Sequence, residues 1–314
     1  MVTIGIIGLG RMGGYHASVC AQSSHIQLVG VADPNEKNLK KVTAAHIIKS
    51  ADYKEWIDLV DGVIIAVPTQ YHYEVAKDCL MRGKHVLVEK PFTKELWEAE
   101  ELIQLAQKNG CALHVGHVER FNGAVQELKK IINKPFLIES HRMGPFAPRV
   151  QKDSVVLDLM IHDLDIILNL VNSPIKNISA QGRKVYSQRC DIANVQISFE
   201  NGTIANIISS RASQVKRRTM TIHQKKEFIH LDFTTQDLSI HRHASSSVDI
   251  GLDQLKYKQE ETIEHLFVYK DNPLKLEVEY FIDAIKNKQN MINDNQDIPA
   301  LGVTLEIDKL IGAV

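Results

Sequence analysis

The sequence predicts a two-part α/β protein: a doubly wound parallel sheet, then an α+β half built on an open, mainly antiparallel sheet. Two observations carry this. Through about residue 120, short β-branched runs alternate with helix-compatible stretches, the rhythm of strands joined by crossover helices. Beyond residue 121 alternating apolar and polar segments follow one another directly, and Glu200-Asn201-Gly202 between two of them is a strong hairpin signal. The domains are therefore drawn as 1–120 and 121–314.

In chain order, the strands expected in the first part are Thr3-Ile7, Leu28-Ala32, Gly62-Val67, His85-Glu89 and Ala112-Val115, with an amphipathic helix over Lys94-Lys108. The second part opens with a helix over Ser154-Leu170. Strands follow at Val195-Phe199, Thr203-Ile208, Thr219-Ile222, Glu227-Phe233 and Glu261-Tyr269, and Ser245-Ser246-Ser247 reads as a loop. A last helix begins near Leu274 and is a candidate to pack back on the first domain.

Composition narrows the class. The 314 residues are 44% hydrophobic and 24% charged, ordinary for a globular enzyme. Lysine and arginine number 37 against 38 acids, and this balance carries no electrostatic footprint for nucleic acid or an anionic membrane. Cys20, Cys79, Cys111 and Cys190 lie far apart without a CxxC pair, so neither a metal site nor a disulfide framework is expected. A basic leader ahead of Val2 and an apolar run of about 18 residues are both lacking, which points to a cytoplasmic protein.

Chemistry-bearing residues begin with Gly8-Leu9-Gly10-Arg11-Met12-Gly13, a GxGxxG set directly after the first strand. Such a turn lets backbone approach a pyrophosphate, while the helix that follows turns its free N–H groups to the phosphates. Asp33 ends the second strand where a carboxylate would accept from the adenosine ribose hydroxyls and repel a 2′-phosphate. Pro34-Asn35 brings no arginine beside it, so NAD is expected over NADP; Lys37 reads as a solvated helix residue. Pro68, Thr69 and His72 follow the strand at Gly62-Val67, at the carboxyl edge where open α/β sheets bind ligands, and would line the cofactor's path. For His72 a purely structural place at a helix start is an equal reading.

Two further constellations complete the set. Strand His85-Glu89 runs into Glu89-Lys90-Pro91, whose charges are expected to emerge at the same edge beside the cofactor, with Lys90 in reach of the nicotinamide ribose and a substrate hydroxyl; neighbouring strand residues face opposite ways, so a mutual ion pair explains them poorly. In the Ser154-Leu170 helix, Asp158, His162, Asp165 and Asn169 fall on one stripe of an otherwise apolar surface. Asp163 lies on the opposite side and is left out. A stripe of this kind suits a ligand cavity, and His162 is the candidate general base.

Taken together, the GxGxxG, Asp33, Glu89-Lys90-Pro91 and Asp158-x-x-x-His162-x-x-Asp165 resemble the Gfo/Idh/MocA oxidoreductases over essentially the whole chain. The resemblance implies an N-terminal Rossmann domain, a C-terminal domain with an open antiparallel sheet, NAD(P)-dependent chemistry on sugar-like alcohols, and catalytic roles for Lys90, Asp158 and His162. Gly116-His117-x-x-Arg120-Phe121-Asn122 is similar to the branch acting on UDP-N-acetylglucosamine at C3, placing His117, Arg120 and Asn122 beside substrate. Gly123 departs from the proline many relatives carry there.

The expected chemistry is proton removal by His162, support of the alkoxide by Lys90, and hydride transfer to NAD. Arg142 and Arg149 are candidates to meet a diphosphate, with an ordinary place on a surface loop the commoner reading. An inositol or simple sugar dehydrogenase is the alternative enzyme, and a non-catalytic NAD-binding regulatory protein the alternative of another class. A small-molecule sugar or sugar-nucleotide substrate is the expected partner, with homo-oligomers formed through the open sheet.

Overall fold

The computed structural model describes residues 1–147, 153–250, 255–287 and 294–312, with side chains placed outside 243–260 and 294–296. The chain divides into two compact units: Met1–Phe121 with Asn272–Gly302, and Asn122–Asp271 with the chain from Val303 onward. The first unit contains β1 (Val2–Ile7), α1 (Arg11–Gln22), β2 (Ile26–Ala32), a four-residue α2 (Glu36–Leu39), β3 (Ile48–Ser50), β4 (Gly62–Ile65), α3 (His72–Met81), β5 (His85–Glu89), α4 (Leu96–Asn109) and β6 (Leu113–Gly116). Its six strands pair in parallel in the order β3-β2-β1-β4-β5-β6. That is the Rossmann order, and its reversal between β1 and β4 opens a crevice at the carboxyl ends of the strands.

Local chemistry explains the elements. Ile4, Ile6, Ile64 and Leu87 are buried in near-continuous apolar strands, as a sheet covered on both faces requires. Trp56 is buried across β1 and β2, where a Cβ on Gly5 or Gly30 would come within 2.4 Å of its ring. A capping box between Glu95 and Glu98 starts α4, and Gly110 at φ +64° ends it.

The second unit contains α5 (Gly123–Ile131), β7 (Leu137–Met143), a π-helical turn (Val156–Met160) continuing into α6 (Ile161–Val171), and β8 (Ile175–Arg183). After these come β9 (Ile192–Phe199), β10 (Ile204–Ser210), β11 (Arg217–Gln224), β12 (Glu227–Asp232), β13 (Asp237–Ile250) and β14 (Leu255–His265). Of the last two helices, α7 (Pro273–Asn287) belongs to the first unit, and α8 (Asp294–Gly312) passes from the first unit into the second at Val303.

The eight strands order as β14-β13-β12-β11-β7-β10-β9-β8, with β7–β10 parallel and the other pairs antiparallel. One face packs Ile138, Val195, Ile207, Met220 and Ile229 with α5 and α6. The expected β9–β10 hairpin forms, while Ser245-Ser246-Ser247 lies inside β13, paired with Glu260, Gln259 and Lys258. The long β13–β14 ladder overrides the loop-like composition of the serines, because backbone pairing needs no particular side chain. Strands β3, β7, β8 and β13 were absent from the sequence expectation. For β7 the cause is chemical: its buried positions hold Ser140 and Arg142 beside Ile138, so apolar alternation fails.

Candidate functional site

The start of α1 fits a dinucleotide. Gly8 adopts φ +90°, a conformation other residues reach only with strain, and a Cβ on Gly13 would lie 1.8 Å from the Gly8 carbonyl oxygen. Gly10, by contrast, has open space where its Cβ would be, leaving backbone accessible to a pyrophosphate. No side chain caps the helix start and no acid lies in its first turn, so its N–H groups are available to phosphates.

Asp33 is fixed from three directions. Its Oδ2 accepts from Leu9 N at 2.7 Å and Asn38 Nδ2 at 3.1 Å, and its Oδ1 accepts from Asn35 N at 2.8 Å. Lys41 Nζ donates to Asn38 Oδ1 at 2.8 Å, which orients the amide with its NH2 toward Asp33. A carboxylate has about four acceptor directions, so one remains for a ribose hydroxyl. A cavity of about 500 Å³ opens beside this group, with Leu9, Gly10, Arg11, Asn38 and Lys41 in its wall. Exposed Arg11 carries its Nε–H to the Tyr15 hydroxyl at 3.1 Å, and half-buried Met12 follows it in α1.

At the carboxyl edge, Pro68 is exposed and Thr69 half-buried in a single 3-10 turn. His72 is buried with Nδ1 2.9 Å from the Pro91 carbonyl and Nε2 2.9 Å from that of Val67. Burial pushes its pKa down, against the pull of the two carbonyls. Both nitrogens face backbone carbonyls, and the neutral ring, with its single N–H, donates to one of the two edge loops at a time. Lys90 is half-buried at the end of β5 and is joined to Pro91 by a cis peptide bond.

Glu89 corrects an expectation. Its side chain does not emerge at the edge but turns into the interior, where His16 Nε2 donates to Oε1 at 2.7 Å. His16 carries no periodicity signal on a short helix, and this buried partner was missed. So was Glu277 on α7, fully buried 3.5 Å from His114 Nε2. Burial, with the nearby Glu89, pushes the Glu277 carboxyl well above the usual range, against His16 and Arg120.

In the second unit Asp158 and His162 are both half-buried. Asp158 belongs to the π-helical turn, so the stripe expected on one regular helix instead crosses a change of helical pitch, a feature frequent at functional positions. Asp165 is buried and accepts from Asn169 Nδ2, as does its own carbonyl at 2.7 Å. Asp163, set aside in the sequence, is fully buried and accepts from Arg142 Nε at 3.0 Å and Nη2 at 2.9 Å. Arg142 is accordingly neither on a loop nor at the surface, and it cannot serve a diphosphate; the ion pair consumes it. Arg149 lies outside the described residues.

His117 and Arg120 sit in the first unit and Asn122 in the second; all three are buried. Arg120 pairs with Asp297 at 2.6 Å. Asn122 caps α5 by accepting from Ala124 N at 3.1 Å, and donates to the Phe233 carbonyl at 3.0 Å. The four cysteines are buried free thiols, and burial pushes Cys20 and Cys79 up to about 12. No helix among the described residues is long and apolar enough to cross a membrane.

Comparison with known proteins agrees with this geometry. Residues 2–117 match the model of an oxidoreductase family with an NAD-binding Rossmann fold, and residues 125–230 match the GFO/IDH/MocA C-terminal domain. The chain is 33% identical to the UDP-N-acetylglucosamine 3-dehydrogenase of Acidithiobacillus ferrooxidans over 90% of its own length and 88% of the relative's. A solved structure of that dehydrogenase superposes with a TM-score of 0.88 at 30% identity, covering 99% of this chain and 98% of the other. A scyllo-inositol 2-dehydrogenase (NAD(+)) of Bacillus subtilis is 29% identical over 68% of each chain. Fingerprint, strand order and whole-length similarity agree, and the chain belongs to the Gfo/Idh/MocA family of NAD-dependent oxidoreductases.

Proposed function

We propose that this oxidoreductase acts on a secondary alcohol of a sugar nucleotide, with UDP-N-acetylglucosamine oxidised at C3 as the substrate. The observation that carries the reading is similarity along nearly the full length of both chains to a dehydrogenase named for that substrate, where similarity to the inositol enzyme covers about two thirds. Bound NAD would supply a hydride acceptor, held through the backbone of Gly8–Gly13 and the remaining acceptor direction of Asp33.

Each reacting side chain has a role suited to its chemistry. His162 takes the proton of the reacting hydroxyl, and Asp158 orients the imidazole or the sugar. Lys90 donates to the same oxygen and stabilises the alkoxide as it forms. His117, Arg120 and Asn122 frame the substrate through the buried contacts that fix their segment. Self-association is inferred through the half-exposed face of the eight-stranded sheet, to be checked by sedimentation.

The test is NAD reduction followed across UDP-sugars, free sugars and inositols. Turnover of UDP-N-acetylglucosamine to its 3-keto product is expected; turnover restricted to free polyols would assign the inositol-type activity instead. NAD binding with no turnover of any alcohol would favour a regulatory protein.

A further inference from the structure

One end of the second unit's sheet carries aromatic surface that its own fold does not use. Tyr186, on the loop after β8, is 55% exposed, yet its ring is not adrift: it lies 5.4 Å from that of Phe146 at 46°, centroid to centroid. The Arg211 guanidinium sits 5.9 Å from the Phe146 ring centroid. Large aromatic side chains held in place at an exposed position offer a flat face to a planar ligand.

The loop that presents Tyr186 is held tightly. Asp191, fully buried, accepts from Val185 N at 2.7 Å, Tyr186 N at 2.7 Å and Ser187 N at 2.9 Å, and pairs with Arg211 Nε at 2.6 Å. Burial alone would raise the Asp191 carboxyl; the backbone N–H groups and Arg211 outweigh it and hold the pKa far below the usual range. Arg211 Nη2 also donates to Ser187 Oγ at 2.9 Å, and the segment before Phe146 is fixed by Gly144 N donating to the Ser210 carbonyl at 2.9 Å. The same frame reaches the polar stripe, since Val155 N donates to the Cys190 carbonyl at 2.8 Å, one turn before Asp158.

Exposed charge on the two loops at this sheet end is one-sided, and the nearest acid beyond them is half-buried Asp308 of α8, beside Cys190. Arg183, Lys184 and Arg189 flank Tyr186 on its loop, and Lys216 and Arg217 stand at the start of β11, all exposed. Among the described residues no acid pairs with Arg183, Lys184, Arg189 or Lys216, and the single acid of these two loops, Asp191, is buried with Arg211. A chain of net charge −1 has thus gathered cations beside a supported aromatic face.

We propose that this end of the sheet is the nucleotide subsite: a nucleobase stacks on Tyr186, backed by Phe146, and the cations of the two loops receive the diphosphate. The inference rests on the sugar-nucleotide reading above and names the residues that would distinguish a sugar nucleotide from a free sugar. Stacking on an aromatic face tolerates any base; the cations supply what a free polyol lacks.

The test separates subsite from substrate. UDP is titrated calorimetrically into the full-length protein held in saturating NAD, so that the dinucleotide fingerprint is already filled. Wild type is expected to bind UDP, Tyr186→Ala to weaken binding about 5- to 100-fold, and Tyr186→Phe to retain it, since the ring and not the hydroxyl does the stacking. Lys216→Ala with Arg217→Ala is expected to weaken UDP binding and flatten its salt dependence. The exposed position of Tyr186 leaves thermal unfolding of its variants unchanged. No UDP binding by wild type, or equal affinity in Tyr186→Ala, overturns the subsite. Oxidation of UDP-N-acetylglucosamine is scored separately: if it occurs with Tyr186→Ala unaltered in UDP affinity, only the subsite falls, and if UDP binds through Tyr186 but no UDP-sugar is oxidised, only the substrate reading falls.

Discussion

Arg142 on β7 and Asp163 on α6 meet through two parallel hydrogen bonds, Nε to Oδ2 at 3.0 Å and Nη2 to Oδ1 at 2.9 Å, with Arg142 2% exposed and Asp163 0%. The Phe233 ring lies 4.8 Å from the same guanidinium. Asp163 is the immediate neighbour of His162, so this pair fixes the rotation of α6 about its axis and with it the direction in which His162 leaves the helix.

Removing one partner leaves the other charge buried without its bidentate counter-charge. Arg142→Met is therefore expected to destabilise the protein by about 3–5 kcal/mol, read from the urea unfolding midpoint. Replacing both residues by apolar ones should cost less than either single change. A single variant with wild-type stability would mean that water reaches the pair.

His162→Ala is expected to lower kcat about 10²- to 10⁴-fold, the contribution of a placed general base, with NAD affinity unchanged. Circular dichroism and thermal unfolding should match wild type, since His162 is only half-buried. A variant that keeps wild-type turnover removes His162 from proton transfer.

Asn38→Leu deletes the side-chain donor to Asp33 and strands Lys41. A hydrogen bond to a charged group contributes about 1.5–3 kcal/mol, so the KM for NAD is expected to rise about tenfold or more while kcat holds. Asp33→Ser should also narrow the preference for NAD over NADP, because the carboxylate that repels a 2′-phosphate is gone. Steady-state kinetics with both cofactors decides this.

Glu277 links stability to pH. The groups facing it are Glu89 on β5, His16 on α1, Arg120 and His114 on β6. Its folded-state pKa is raised, so the stabilisation it gives is complete below the ordinary value of 4.5 and is lost as pH rises toward the folded value. Glu277→Gln needs no proton to stay neutral. Its thermal midpoint is expected to exceed that of wild type increasingly from pH 5 to 8, and a constant difference across that range would refute a raised pKa.

The first unit was legible because its signals are local. A glycine fingerprint, a strand-terminal Asp33 and apolar runs each act within a few residues of where they stand, and they mark β1, β2, β4, β5 and β6 as parallel strands, while the three-residue β3 and the strand order came from the structure. The hairpin at Asn201-Gly202 was legible for the same reason. By contrast, Arg142 on β7, the inward turn of Glu89 to His16 and the burial of Glu277 depend on partners 21, 73 and 163 residues away in the chain (Asp163, His16 and His114). Sequence patterns report which residues prefer water; whether a charge is buried is settled by the partner that compensates it, and only the tertiary structure brings that partner within reach.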